Sequence, residues 1–215
     1  MEQQLGLRER KKQQTRRLLA DTARSLFAEH GFQDVTVAEV ASAADVSEAT
    51  VFNYFPTKED LLLSGLEVFE EALLGAVRER AAGESVLAAF GDFVLTSGGL
   101  LAETEPSARQ RLTAISRVIE ESPTLLEREQ TIFAGYTDSL AAVIAEEVEA
   151  TSDDRTPWVV ANALMGVHRA TVSYARRQIL DGVRSPTLVR RVRAQARRAL
   201  AVLASGLGDY AVKGA

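Results

Sequence analysis

The sequence predicts an all-α protein: a three-helix head followed by a larger helical bundle, about nine helices in all. Three observations carry that expectation. Apolar residues recur at helical spacing along nearly the whole chain, beginning with Leu19, Ala23, Leu26 and Phe27. No segment sustains the period-two alternation of a half-buried strand. The joints between periodic stretches are short and carry hydroxyl, glycine and proline punctuation.

The elements follow in order. A first helix is expected from about Arg10 to His30, stopped by Gly31, which can take the left-handed backbone of a helix end. Thr36-Val-Ala-Glu39 reads as a capping box, hydroxyl and carboxylate reciprocally satisfying backbone N–H groups, and opens a helix over 37–44. Ser47 caps a second short helix over 48–54, which Pro56 ends. Thr57-Lys-Glu-Asp60 then opens a longer helix, 58–80. Further helices are expected at 85–101, 107–121, 125–149, 157–180 and 186–207, with Pro157 and Pro186 in first turns, where a missing N–H costs nothing. The expected boundary places a head at 1–57, with a basic arm at 1–9, before a larger domain at 58–215.

Composition narrows the function. The chain has 215 residues, 46% of them hydrophobic, enough to bury a core in each part. It has no cysteine, which excludes disulfides, thiolate metal sites and cysteine nucleophiles. No apolar run approaches the ~18 residues of a membrane span, and the polar start of the chain is not a secretory signal. The expectation is a soluble, cytoplasmic protein with no membrane partner. The net charge of −5 conceals an asymmetry: −2 over residues 1–60, −12 over 61–154 and +9 over 155–215. Six basic residues lie between Met1 and Arg17, against two acids. A basic arm on an acidic body suits local phosphate contact, although charge alone fits a solvated tail equally.

Residues 36–62 read TVAEVASAADVSEATVFNYFPTKEDLL, two short helices joined by a tight turn, a helix-turn-helix. Val37, Val40, Ala41 and Ala44 give the first helix a packing stripe, with Ala41 small where the helices cross and Val46 plugging the turn. In the second helix Val51, Phe52 and Phe55 are expected to face inward, leaving Glu48, Ala49, Thr50, Asn53 and Tyr54 outside.

Here the sequence resembles the TetR family of one-component bacterial regulators. The resemblance rests on Leu26-Phe27-Ala28-Glu29-His30-Gly31-Phe32, Thr36-Val37-Ala38-Glu39-Val40-Ala41, Val46-Ser47, Thr50-Val51-Phe52-Asn53-Tyr54-Phe55 and Lys58-Glu59-Asp60-Leu61, in order and spacing over about 55 residues. It implies a DNA-binding head and a larger domain for effector binding and dimerisation. Two departures stand out: the turn position usually held by glycine is Asp45, and the recognition helix begins Glu48-Ala49. Glu48 either caps the helix or accepts a hydrogen bond from cytosine N4. Exposure and the family pattern together make Thr36, Tyr54 and Lys58 phosphate contacts, and Thr50 and Asn53 readers of base edges. Thr50 would use its hydroxyl or touch a thymine methyl; Asn53 would pair with adenine or is simply solvated. Arg10, Arg16, Val37 and Ser47 complete the expected DNA-contact set.

Past residue 62 no motif is comparably specific. The resemblance implies an effector pocket among the long helices, and aromatic and polar residues on apolar faces are where it is expected: Phe69, Phe90, Phe93, Phe133, Tyr136, Trp158, Asn162, Met165 and Arg169. Each also fits plain core, and Arg169 also fits pairing with an acid. A dimer stripe is expected at Ala196, Leu200, Leu203 and Leu207, with intrachain core as the alternative. The two histidines, His30 and His168, lack metal-ligand spacing; there is no Gly-rich phosphate loop or nucleophile elbow. No metal, cofactor or catalytic residue is expected, and the protein is not read as an enzyme. The reading is a homodimeric repressor that binds double-stranded DNA at a palindromic operator and is released by a small-molecule effector of unidentified chemistry. The alternatives are a regulator controlled by a protein partner, or a small-molecule-binding helical protein with a degenerate DNA head.

Overall fold

The computed structural model describes residues 6–96, 106–207 and 212. Among them are ten helices: α1 (Leu7–His30), α2 (Val37–Ala43), α3 (Glu48–Tyr54), α4 (Lys58–Leu63), α5 (Leu66–Arg78), α6 (Val86–Thr96), α7 (Pro106–Glu120), α8 (Pro123–Glu147), α9 (Thr156–Leu180) and α10 (Thr187–Leu207). The described residues contain no strand, only an isolated antiparallel bridge between Ser85 and Val212.

The tenth helix arises because the single helix expected over 58–80 is broken. The Ser64 hydroxyl turns back to donate to the Leu61 carbonyl (3.3 Å), and Gly65 follows with poor helix propensity. Other boundaries move by a few residues. α7 and α8 begin on Pro106 and Pro123 themselves, using proline at the first helical position. Pro186, expected inside a first turn, lies just ahead of α10. The end of the helix expected over 85–101 lies outside the described residues, as do residues 1–5 of the basic arm.

The chain divides into two compact units, Met1–Gly65 with Thr113–Arg128, and Leu66–Leu112 with Glu129–Ala215. The division differs from the contiguous boundary after residue 57 because α4 packs on α1 and carries three buried leucines, Leu61, Leu62 and Leu63. The Arg24 guanidinium donates to the Ser64 hydroxyl (2.8 Å), tying α1 to the end of α4.

In the first unit the core is the inward stripe of α1 (Leu19, Ala23, Phe27) closed by Val40, Ala41, Val51 and Phe55. Phe27 and Phe55 are fully buried, each worth about 2–3 kcal/mol relative to exposure. Gly31 ends α1 at φ +88°, but with ψ 158° it is extended beyond the left-handed helical region, and its N–H donates to the Phe27 carbonyl. Asp60 closes the Thr57 capping box and also pairs with Arg128 (2.9 Å).

In the second unit α5, α6, α8 and α9 share one apolar core around Leu73, Val77, Phe90, Leu140, Ile144, Leu164 and Met165. α10 packs on α9 and α6, where a Cβ added to Gly91 would lie 3.3 Å from Leu200 Cδ1. Two ion pairs run through this unit, Arg176 with Glu129 and Arg80 with Glu147. Arg176, Glu129 and Arg80 are all buried, so these pairs are a device of position rather than of surface charge.

Candidate functional site

The reading head is built from two local caps and the turn between them. The Thr36 hydroxyl accepts from the Glu39 N–H (3.2 Å), while the Glu39 carboxylate accepts from the Thr36 N–H (2.7 Å) and hydroxyl (2.8 Å). Those bonds hold the Glu39 carboxyl below the usual carboxylate range. Asp45 takes the turn at φ +54°, Val46 donates its N–H back to the Ala41 carbonyl, and its side chain is half-buried. The Ser47 hydroxyl accepts from the Thr50 N–H (3.1 Å) and bonds the Thr50 hydroxyl (2.9 Å).

These caps present α3 with Val51 and Phe55 buried and Glu48, Ala49, Phe52 and Asn53 outward. Phe52 is the correction: expected inward, it is 49% exposed. In a two-turn helix the inward arc is narrow, and Val51 with Phe55, four apart, fill it. Thr36 and Ser47 are also exposed, whereas Val37, Thr50 and Tyr54 are half-buried.

Two basic residues expected at phosphates are engaged within the head. The Lys58 ammonium donates to the Phe32 carbonyl and lies over the Phe32 ring (4.3 Å) and the Phe27 ring (5.7 Å). Its burial lowers its pKa from the ordinary lysine value, with nearby acids opposing. The Arg16 guanidinium donates to the Tyr54 carbonyl (2.7 Å) and stacks over Phe55 (4.4 Å), bracing the end of α3. Arg10 stays exposed on α1.

In the second unit, four of the expected effector residues gather around one that sequence reasoning set aside. His168 stacks on Phe69 (centroids 4.2 Å apart, 26°) and takes Phe133 edge-on (5.2 Å, 90°). Phe69 also meets Phe93 (5.3 Å) and Tyr136 (6.2 Å). Phe90 and Met165 are fully buried in the same core. His168 is only 8% exposed and its ring bonds no described residue; burial, aided by the neighbouring Arg169 charge, lowers its pKa to about 4, so the imidazole is neutral at pH 7. The available signal was its register, four residues after Leu164 and three after Met165 on one apolar stripe, rather than metal spacing.

The remaining candidates lie elsewhere. Arg169 donates to the Asn162 side-chain oxygen (3.1 Å), and both are half-buried. Trp158 is 45% exposed and donates to Asp138 (3.0 Å), outside the aromatic group. The expected dimer stripe turns inward: Ala196 is buried, Leu200 and Leu203 pack on the main core, and the Leu207 side chain lies outside the described residues. The exposed large apolar residues of α9 and α10 are instead Trp158, Val159 and Val202. Among the described residues no group of three His, Asp or Glu gathers as a metal site, and no helix is long and apolar enough to cross a membrane.

Residues 19–64 match the family model described as bacterial regulatory proteins, tetR family. The chain is 34% identical over 160 residues to the HTH-type transcriptional regulator TcmR of Streptomyces glaucescens, covering 73% of this chain and 71% of that protein. The fold is shared with the transcriptional regulator FadR from Bacillus subtilis, solved in complex with stearoyl-CoA (TM-score 0.53, 20% identity, 88% of this chain and 97% of that one). It is shared too with NalD, the secondary repressor of the MexAB-OprM multidrug efflux pump in Pseudomonas aeruginosa (TM-score 0.51, 21% identity, 92% and 98%).

Proposed function

The chain belongs to the tetR family of bacterial regulatory proteins, DNA-binding transcriptional regulators, and from that premise we propose a homodimeric repressor that a small molecule releases from a palindromic operator. The observation that supports it most is the reading face of α3, four outward side chains on a helix capped by Ser47 and braced by Arg16. The unit of residues 1–65 with 113–128 carries the DNA-binding part, and the unit of residues 66–112 with 129–215 the effector and dimer part. Asn53 reads an adenine edge, Thr36 and Tyr54 hold phosphates, and Arg10 adds salt-dependent affinity from the start of α1. Lys58 acts from within, fixing the start of α4 against Phe32.

The effector enters the aromatic group around His168. A buried imidazole with no partner among the described residues, walled by Phe69 and Phe133, is the kind of polar anchor that an apolar pocket uses to orient a ligand. The effector releases DNA only if it binds the released conformer more tightly, since equal affinity for both shifts nothing. Dimerisation uses the exposed apolar residues of α9 and α10, Val159 and Val202 among them. Two recognition helices then reach half-sites one helical turn apart, about 34–36 Å, or a multiple of it.

Selection of bound fragments from random DNA at near-physiological salt tests the whole reading. The expected result is a two-fold symmetric consensus, with binding that weakens steeply as salt rises. Weak binding without sequence preference would overturn it.

A further inference from the structure

We infer that a groove along the first turns of α10 binds a small molecule through a chain of two or more phosphates, held by Arg190, Arg193 and Arg197. The inference goes beyond the regulator reading and does not depend on it. The groove has a volume of about 380 Å³ and is lined by Ser185, Pro186, Val189 and the three arginines. It lies wholly in the second unit and shares no residue with the aromatic group around His168.

From Gly182 to Gly208 the chain holds six arginines and no lysine, aspartate or glutamate. Leu188, Val192 and Ala196 are buried and turn one face of α10 to the core. Arg190, Arg193 and Arg197, three and four residues apart, fall on one stripe outside that face, Arg193 half-buried and the other two exposed. Arg191 and Arg198 lie on a different stripe, and each donates to an amide oxygen, of Gln178 and Gln195 (2.9 Å in both). The second unit elsewhere pairs Arg80 with Glu147 and Arg176 with Glu129, yet no acid among the described residues pairs with the three arginines of the groove. Like charges at this spacing repel, and the packing of α10 does not need them, since other residues make its buried face. A ligand with several negative charges offsets the repulsion. Guanidinium at every basic position of the segment suits two-pronged bonding to phosphate oxygens, which ammonium does not offer. The volume falls in the range of small-molecule sites, and Pro186 and Val189 give it an apolar wall. Past Arg197 the stripe continues as Ala201 and Ala204. The cationic track therefore covers only about 10 Å of helix axis, short for a duplex backbone or an acidic helix.

Calorimetric titration of the full chain with tripolyphosphate, ATP and orthophosphate, at near-physiological salt, tests it. Tripolyphosphate should saturate one site per chain and bind at least about ten-fold more tightly than orthophosphate. ATP bound more tightly than tripolyphosphate supports a nucleotide seated on Pro186 and Val189; ATP bound no more tightly supports the phosphate chain alone as the ligand. Arg193→Gln should weaken tripolyphosphate binding about ten-fold, the worth of one charged hydrogen bond. Arg193→Lys should recover only part of this, because it keeps the charge and loses the fork. Arg191→Gln with Arg198→Gln removes two charges outside the groove, and screening should hold its effect to about two-fold. All these side chains are exposed or half-buried, so the variants should fold, which helical circular dichroism and melting temperature verify. No saturable binding overturns the inference, as does orthophosphate bound as tightly as tripolyphosphate. So does an equal loss in the Arg191 and Arg198 variant, which makes the effect one of diffuse charge. If tripolyphosphate does not bind and Arg193→Gln instead weakens the dimer in sedimentation, or weakens operator binding, the groove belongs to a second copy or to DNA and the inference falls. The consensus selected from random DNA is read independently, so the regulator reading stands or falls apart from this site.

Discussion

Acidification from pH 7 to pH 5 should destabilise the second unit through one residue, His168. In the unfolded chain its imidazole titrates near the ordinary value of 6.5; in the fold, burial against Phe69 and Phe133 lowers its pKa to about 4. Between those values the unfolded chain binds a proton that the folded chain does not, so stability falls as pH falls through that window and is flat, as far as this residue is concerned, above it. The gap of about 2.5 pH units corresponds to a loss of about 2 kcal/mol by pH 5, approaching about 3 kcal/mol below pH 4. Urea unfolding followed through the fluorescence of Trp158, the single tryptophan and a residue of this unit, measures it. His168→Leu provides the reference: carboxylates titrate in both proteins, so the difference in pH dependence belongs to the histidine. The wild type should lose about 2 kcal/mol more than the variant between pH 7 and pH 5. Parallel losses in the two proteins, or a proton resonance assigned to the His168 imidazole titrating near pH 6.5, would refute the reasoning.

Three further outcomes are expected. Glu129→Leu should destabilise the protein by about 3 kcal/mol or more, because the buried Arg176 loses its carboxylate, whereas the double variant Glu129→Leu with Arg176→Leu should recover most of that in urea titrations. Thr36→Ala removes one half of the capping box at the start of α2 and should cost about 1 kcal/mol, seen as a lower urea midpoint, while Thr36→Ser should restore it. Val202→Arg places a charge on a side chain 75% exposed; the fold and melting temperature should be kept, and sedimentation should show the dimer weakened, with operator affinity falling in step. A Val202→Arg protein that stays dimeric would move the interface elsewhere.

What was legible in the sequence is what short-range physics controls. Thr36, Ser47 and Thr57 each satisfy an amide three residues on, so their caps depend on spacing alone and occur where the residue types place them. The turn at Asp45, the buried pair Val51 and Phe55, and the family resemblance follow from the same local order. The direction of Phe52 was not legible, since in seven residues the apolar arc has no length over which to average. Nor was the break at Ser64–Gly65, where a hydroxyl outcompetes one more helical turn.

Tertiary structure alone decided where the long side chains end. Arg16 and Lys58 lie in a basic or cap-like context that suits phosphates, yet their heads bond the Tyr54 and Phe32 carbonyls, partners 38 and 26 residues away. Leu200 and Leu203 form a stripe equally suited to a second copy or to their own core, and the core took them because Gly91 on α6 leaves room for Leu200. His168 gained its setting only when α5, α8 and α9 brought Phe69 and Phe133 against it. Helical periodicity names the face on which a residue lies, while burial, charge pairing and pKa depend on what arrives at that face from elsewhere in the chain.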